Sequence, residues 1–262
     1  MEVPGERSTR EHEDCEAEEI LDNMETLHVE AHVRGRKETV SKLSAFYANA
    51  TSIVNIDKRT QLELYVDKEK LDIIGITESW AKESIQDSEL ELEGYTMFRK
   101  DRKNWGERGY GGVLLYIKDN LTTLERKDLK DDRFKESVWC EIRNKTEALL
   151  VGVCYRVPGS TKESDSGMHE LISKATKMSC VIMGDFNHHI DWSKREGKDN
   201  TDESFLDCLD ECFLTQHVIE PTRGDNILDL VISTDERMIE EVKVGEELGR
   251  KRVWRSIAVF KG

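Results

Sequence analysis

Two short apolar runs limit what this chain can fold into more than any other feature. Leu71–Thr77 reads LDIIGIT, and Val181–Met183 opens the stretch VIMGDFNHHIDW. Runs like these, without the alternation of a half-solvated strand, suit strands buried on both faces. Each stops on polar residues, the first at Glu78-Ser79-Trp80 and the second at Gly184-Asp185-Phe186-Asn187. In layered α/β structures such strand ends collect into one site. Asp185 and Asn187 are two apart, so on an extended chain they face one side while Phe186 turns back into the protein. A carboxylate there can act as a base toward water or share a metal ion. A carboxamide can hold a phosphate oxygen or a hydroxyl without adding negative charge. Taken singly, the residues have ordinary explanations. Asp and Asn are common in turns, and Glu78 suits the first turn of a helix, where the dipole favours an acid.

The rest of the chain supplies the layers. Lys42–Tyr47 is expected to open the domain as a strand. A helix follows across Lys58–Lys68, with Leu62, Tyr65 and Val66 on one side. Tyr95–Arg99, Gly109–Lys118, Ser137–Arg143, Glu147–Arg156, Leu228–Ser233 and Met238–Leu248 read as further strands, with Asp229 inside one of them. Val138–Ile142 and Leu149–Tyr155 form a predicted hairpin around Asn144-Lys145-Thr146. Helices are expected over Asp165–Thr176 and Phe205–Phe213, the second with Phe205, Leu206, Leu209 and Phe213 on its buried face. Many strands with few helices between them predict two packed sheets with helices outside. Arg99–Arg108, RKDRKNWGER, is a mostly basic loop in an acidic chain, a pattern that is usually a solvated surface.

The 262 residues fit one large domain, or one domain with a tail. A net charge of −15 argues against non-specific, charge-driven binding to nucleic acid or to an anionic membrane. Residues 1–40 hold twelve acids against five bases and are expected to be a largely disordered acidic tail, with a short helix at Glu16–Leu27. The domain is then 41–262. The start has no apolar signal core, and no run approaches the ~20 residues that span a bilayer, so neither secretion nor membrane insertion is expected. The six cysteines show no metal-ligand spacing, and Cys140, Cys154 and Cys180 read as buried thiols. A reducing intracellular compartment, nuclear or cytoplasmic, fits them. Nothing in the composition points to a protein partner.

With Asn49, Glu78, Tyr155, Asp185, Asn187 and Asp229 in view, the chain resembles the endonuclease/exonuclease/phosphatase superfamily. Within it, the likeness is to the apurinic-type endonuclease domain of non-LTR retrotransposons. YANATSIVN, DIIGITESW, GGVLLYIKD, CYRVPGS, VIMGDFNHHIDW and PTRGDNILDLVIS carry it, in family order from about residue 42 to 249. The resemblance implies a deoxyribonuclease-like four-layer α/β sandwich, two mixed β-sheets flanked by helices. It implies a phosphodiesterase that nicks DNA with Mg²⁺ or Mn²⁺. Glu78 resembles the principal metal-ligand glutamate and Asn49 the residue completing the acidic cluster. Tyr155 resembles the tyrosine that reaches the phosphate, Asp185 the residue that orients or deprotonates water, and Asn187 the one that holds the scissile phosphate. Arg156 and Thr222 match positions near the backbone-binding groove. Arg99 and Arg102, in the basic loop, are further candidates for nucleic-acid contact.

Two departures stand out. The family's CYRPP reads Cys154-Tyr155-Arg156-Val157-Pro158 here. The family also closes with Ser-Asp-His just after the equivalent of Gly249, whereas this chain continues Arg250-Lys251-Arg252-Val253-Trp254, with no His beyond His217. In the family that His is oriented by the aspartate matching Asp229. The reading from sequence is therefore an impaired nuclease, divergent after about residue 249. The alternatives are an inactive pseudoenzyme or binding remnant of the same fold, and a phosphoesterase acting on a lipid or nucleotide. His188 and His189 are the nearest replacements, although adjacent histidines after a strand usually lie on the surface.

Overall fold

The computed structural model describes residues 26–33, 41–102, 110–145, 147–244 and 255–261. Among the described residues, fifteen strands and three α-helices follow one another. They are β1 (Thr26–Val33), β2 (Ser41–Asn49), α1 (Ile56–Glu69), β3 (Ile73–Thr77), β4 (Tyr95–Lys100), β5 (Val113–Lys118), β6 (Thr122–Glu125), β7 (Ser137–Arg143) and β8 (Ala148–Tyr155). The second half holds α2 (Lys162–Ala175), β9 (Cys180–Asp185), β10 (Ile190–Asp191), β11 (Glu196–Gly197), α3 (Asn200–Glu211), β12 (Thr215–Gln216), β13 (Asp229–Ser233), β14 (Ile239–Val244) and β15 (Arg255–Lys261). The helices start where side chains accept their first free N–H groups: Asn55 Oδ1 from Asp57, Thr161 Oγ1 from Ser164, and Asp199 Oδ1 from Thr201 and Asp202.

The first sheet runs β1-β14-β15-β2-β3-β5-β4 and the second β12-β13-β9-β8-β7-β6. They face each other through one apolar layer. Alternate residues of β2 and β3 (Ala45, Tyr47, Ile73) and of β5 (Val113, Leu115, Ile117) meet Val138, Cys140, Val151, Val153, Val181 and Met183 from the other sheet. The opposite face of the first sheet (Phe46, Ala48, Ile74, Ile76) packs on Leu62 and Val66 of α1. The opposite face of the second (Leu150, Cys180, Ile182, Leu230) packs on Met168, Leu171 and Ile172 of α2 and on Phe205, Leu206 and Leu209 of α3. Helix, sheet, sheet, helix is the expected four-layer sandwich. It also explains why β3 and β9 read as continuous apolar runs: every residue in both strands is buried.

Each sheet contributes one parallel pair with a helical crossover, β2–α1–β3 and β8–α2–β9. In register, Asn49 lies opposite Thr77, and Tyr155 opposite Asp185. Parallel neighbours end on the same side, so each pair sends two strand ends toward one rim. The second pair is tight. A Cβ on Gly184 would sit 1.9 Å from the carbonyl oxygen of Cys154, so only glycine lets β9 lie this close to β8.

Three expectations change. Thr26–Val33, assigned to the tail, is a strand whose Leu27–Glu30 pair antiparallel with β14. The acidic count hid a short alternating segment, LHVEAHV, that a sheet edge can use. The helix expected at Glu16–Leu27 lies, but for its last two residues, outside the described residues. Phe213 is not on the buried face of α3. The helix ends at Glu211, and Phe213 takes φ +53° and is 86% exposed. The predicted strand at Met238–Leu248 is observed over Ile239–Val244. Residues 245–254, where the sequence departs from the family, lie outside the described residues. Beyond them Arg255–Lys261 enters the first sheet antiparallel to β2 and β14. Among the described residues no helix is long and apolar enough to cross a membrane.

Candidate active site

The two parallel pairs end beside each other, and their last residues form one hydrogen-bonded cluster. Asn49, 2% exposed at the end of β2, donates from Nδ2 to Glu78 Oε1 at 3.1 Å and to Asp185 Oδ2 at 3.0 Å. Tyr155, at the end of β8, donates its hydroxyl to Glu78 Oε1 at 3.0 Å. Burial, then the charges of Glu78 and Asp185, push the Tyr155 hydroxyl far above its usual range, so it stays a donor. One carboxylate and one carboxamide from the first sheet are thereby tied to one tyrosine and one carboxylate from the second.

Asp185 and Asp229 lie directly opposite in the antiparallel β9–β13 pair, and both are fully buried. Asp229 Oδ1 accepts from the Tyr47 hydroxyl at 3.0 Å, which crosses the interlayer core from β2. Thr222 Oγ1 accepts from the backbone N–H groups of Leu228 (2.9 Å) and Asp229 (3.1 Å), fixing the start of β13. Asp185 Oδ1 and Asp229 Oδ2 are buried and find no hydrogen-bond partner among the described residues. Burial pushes both carboxyls above the ordinary range. For Asp229 the neighbouring Asp185 adds to this, and for Asp185 the charge of Arg223 opposes it. Both carboxyls are thus biased toward the protonated form, Asp229 more strongly than Asp185.

Arg223 was not foreseen from the sequence. Its guanidinium donates from Nη2 to Asp185 Oδ2 at 3.0 Å and from Nη1 to Asn187 Oδ1 at 3.2 Å. Burial works against its charge, but Asp185 and then Asp229 outweigh it and hold the group firmly protonated. In the sequence it is one arginine in PTRGDN among many charged residues. Only the turn closed by Arg223 and Asn226 aims it inward.

Asn187 does share a side with Asp185, and Phe186 is fully buried, but the backbone is not extended there: Asn187 takes φ +50°. Its Nδ2 donates to the carbonyl of Arg156 at 2.8 Å. Thr51, Ser52, Glu78 and Trp80 also have positive φ, at 41°, 84°, 49° and 55°. Such backbones cost about 1–3 kcal/mol each and persist where surrounding structure over-determines them. Here they cluster at the ends of the site strands.

The arginines expected to contact nucleic acid have internal partners. Arg156, 5% exposed, grips Asp165 through Nε at 2.7 Å and Nη2 at 3.0 Å, and donates to the carbonyl of Asn187 at 3.1 Å. It braces the loop that carries Asn187 rather than facing a groove. Arg99 holds Asp101 and Asp87 and the carbonyls of Lys82 and Ile85. Arg102 pairs with Glu136 and lies 5.8 Å from the centre of the Tyr155 ring. Residues 103–109 of the basic loop lie outside the described residues. A groove of about 790 Å³ opens beside Tyr155, with Arg102, Lys130, Arg133, Glu136 and Thr161 among its walls.

His188 is not a surface residue. It is 1% exposed, stacks on Phe205 with centroids 4.3 Å apart, and places Nδ1 2.9 Å from Asp202 Oδ1. Burial, reinforced by the charge of Arg156, lowers it to about 3, so it is neutral and part of the packing between β9 and α3. His189, its neighbour, is exposed.

As a cation site the cluster has a definite character. Among the described residues no group of three or more His, Cys, Asp or Glu could enclose a metal ion. Asn49 turns its NH₂ toward the acids while its Oδ1 accepts from Thr51 N and Oγ1, both at 3.2 Å. An NH₂ has no lone pair for a metal. As placed, Asn49 positions Glu78 and Asp185 and turns its lone pairs to Thr51. One or two carboxylates, one with an unpartnered oxygen, suit Mg²⁺, which keeps much of its water and uses few protein ligands. They do not suit an ion that needs a full protein cage.

Residues 149–249 match the family described as Endonuclease-reverse transcriptase. Among solved structures, the endonuclease domain of TRAS1, a telomere-specific non-LTR retrotransposon, is similar with TM-score 0.57 and 15% identity, over 75% of this chain and 89% of that one. The AP endonuclease LMAP from Leishmania major gives TM-score 0.58 and 12% identity, over 75% and 81%. A 3′ phosphatase from Neisseria, bound to a product DNA hairpin, gives 0.53 and 14%, over 75% and 90%. No curated protein sequence matches. The chain thus shares its fold with these nucleases and, over residues 149–249, matches the Endonuclease-reverse transcriptase family.

Proposed function

We propose that the chain is a Mg²⁺-dependent phosphodiesterase that nicks DNA, the endonuclease domain of a retrotransposon. The observation that carries this is the convergence of Glu78, Asn49, Tyr155 and Asp185 from two separate sheets into one hydrogen-bonded cluster with unsatisfied carboxylate oxygens. Structural needs alone do not bury two opposed aspartates with oxygens left unpaired, because such groups cost several kcal/mol.

Glu78 would hold the cation, with Asp185 beside it. A bound cation would polarise the phosphodiester and ease departure of the leaving oxygen. Asp185, its Oδ1 unpaired, would orient the attacking water and accept its proton. Tyr155 and Asn49 hold Glu78 in place. Asp229 lies opposite Asp185 in the β9–β13 pair, and its bias toward the neutral form lessens the charge crowded behind it. Thr222 and Arg156 act at one remove, through the backbones of Asp229 and Asn187. The DNA duplex would lie across the rim, with the groove beside Tyr155 taking the flanking strand.

Supercoiled plasmid should be nicked with Mg²⁺ and not with chelator. Glu78→Gln should slow nicking by roughly 10²–10³-fold, the several kcal/mol expected when a cation loses its carboxylate. Nicking that is indifferent to Mg²⁺, or to Glu78→Gln, would remove the cation from the reading. A second reading, a DNA-binding relic that does not cleave, is favoured by one observation: Asp229 Oδ2, where the family's histidine would be oriented, is buried without a partner. It expects DNA binding and no nicking under any divalent cation.

A further inference from the structure

We propose that Tyr47 is a positioning residue for the reaction, its hydroxyl setting how Glu78 stands toward Asp185. The proposal rests on the phosphodiesterase reading above and adds to its site a residue that the sequence did not single out. β2 sends two side chains of one face toward the second sheet, Tyr47 and then Asn49. Asn49 joins Glu78, after the end of β3, to Asp185 in the second sheet, at 3.1 and 3.0 Å. Tyr47 repeats the connection one step deeper. Its hydroxyl lies 2.7 Å from Oγ1 of Thr77, the residue before Glu78. It also lies 3.0 Å from Oδ1 of Asp229, the residue opposite Asp185. The cluster therefore has two rungs, each running from the end of β3 through β2 to the second sheet.

The inner rung has one direction. Tyr47 has a single proton, which goes to Asp229, so the Thr77 hydroxyl gives its own to Tyr47. Burial, then the charges of Asp229 and Asp185, raise the Tyr47 hydroxyl well above its usual range, so it stays a donor. Tyr47, Thr77 and Asp229 are all fully buried, and the three bond away from solvent. In such a chain the loss of one hydroxyl leaves its neighbours unsatisfied as well. The outer rung is less enclosed: Glu78 is only half-buried and follows Thr77 on a left-handed backbone, φ +49°. The bond from Thr77 to Tyr47 therefore braces Glu78 from behind, against the same pair of strands that carries Asp185. A shift of about 1 Å in a reacting group can cost roughly 10²-fold in rate. The inner rung also gives Asp229 a partner that does not depend on a C-terminal histidine.

The test uses the full chain with Tyr47→Phe and Thr77→Val, which keep the shape of each side chain and remove one hydroxyl. Both are compared with the natural chain well below their melting temperatures. With plasmid and Mg²⁺ at saturating DNA, Tyr47→Phe should nick roughly 10- to 10²-fold more slowly. Its Kd for a fluorescein-labelled duplex in chelator should be unchanged, because no DNA contact is lost. Thr77→Ser should recover the rate that Thr77→Val loses, and the double variant should be no slower than Tyr47→Phe alone, since both break one rung. If Tyr47→Phe does not fold, Thr77→Val and its recovery by Thr77→Ser carry the same outcomes. Variants that melt lower yet nick as fast as the natural chain would make the rung merely structural, overturning the proposal and leaving the nuclease reading intact. If the natural chain binds Mn²⁺ but does not nick, the readout is Mn²⁺ affinity by electron paramagnetic resonance. Tyr47→Phe should then bind several-fold more weakly, and equal binding overturns the proposal. A natural chain that neither binds Mn²⁺ nor nicks overturns the nuclease reading, and this proposal with it.

Discussion

Asp229 carries the clearest consequence at the scale of one residue. Burial, then Asp185, raise its carboxyl in the folded protein above the ordinary value. A raised carboxyl favours the protonated folded state, so its stabilisation is complete below about pH 4, the unfolded value, and is lost as pH rises toward the folded value. Asp229→Asn removes the titration and keeps an acceptor for the Tyr47 hydroxyl. In chelator at neutral pH this variant should melt a few degrees higher than the natural chain, and its melting temperature should fall less between pH 4 and 7. A lower melting temperature at pH 7 would mean that Asp229 is ionised and paired. Residue identity carried the site only in part. Asn49, Glu78, Tyr155 and Asp185 were legible because each stands at or just past the end of an apolar run, and Asp229 because it interrupts one. Arg223 was not, because nothing local distinguishes an arginine in a Gly-Asp-Asn turn from a solvated one. The direction in which Asn49 and Asn187 point their amides was also closed to the sequence, since that is decided by partners far along the chain.

Elements were legible where burial is two-sided. β3 and β9 announced themselves by composition, and the β7–β8 hairpin by its turn. Edge elements were harder. β1 sits in a segment dominated by acids, and β6, β10, β11 and β12 are short pieces that owe their pairing to neighbours. The extent of α3 was overdrawn because the apolar spacing continues to Phe213 while the backbone turns left-handed there. β1 alters the expected effect of shortening the chain. Deleting residues 1–25 should leave the melting temperature nearly unchanged, as expected of an acidic tail with few apolar groups. Deleting residues 1–40 also removes the strand that pairs with β14, and should lower it by several degrees. Equal melting of the two truncations would show that β1 adds nothing to stability.

At the scale of the whole molecule, the site depends on the meeting of two sheets across one shared apolar layer. Glu78 and Asn49 come from the first sheet, and Tyr155, Asp185, Asn187, Arg223 and Asp229 from the second and its loops. Neither β2–α1–β3 nor β8–α2–β9 holds a complete set, and the family match at residues 149–249 takes in the second but not the first. The chemistry therefore behaves as a conjunction with no partial value. A gene fragment copied from either side of residue 120 would inherit strands, a helix and some of the side chains, yet not the cluster that the proposed chemistry needs. On the proposed reading such halves would be inert, and an insertion or frameshift between them would disarm the protein as surely as a change at Glu78.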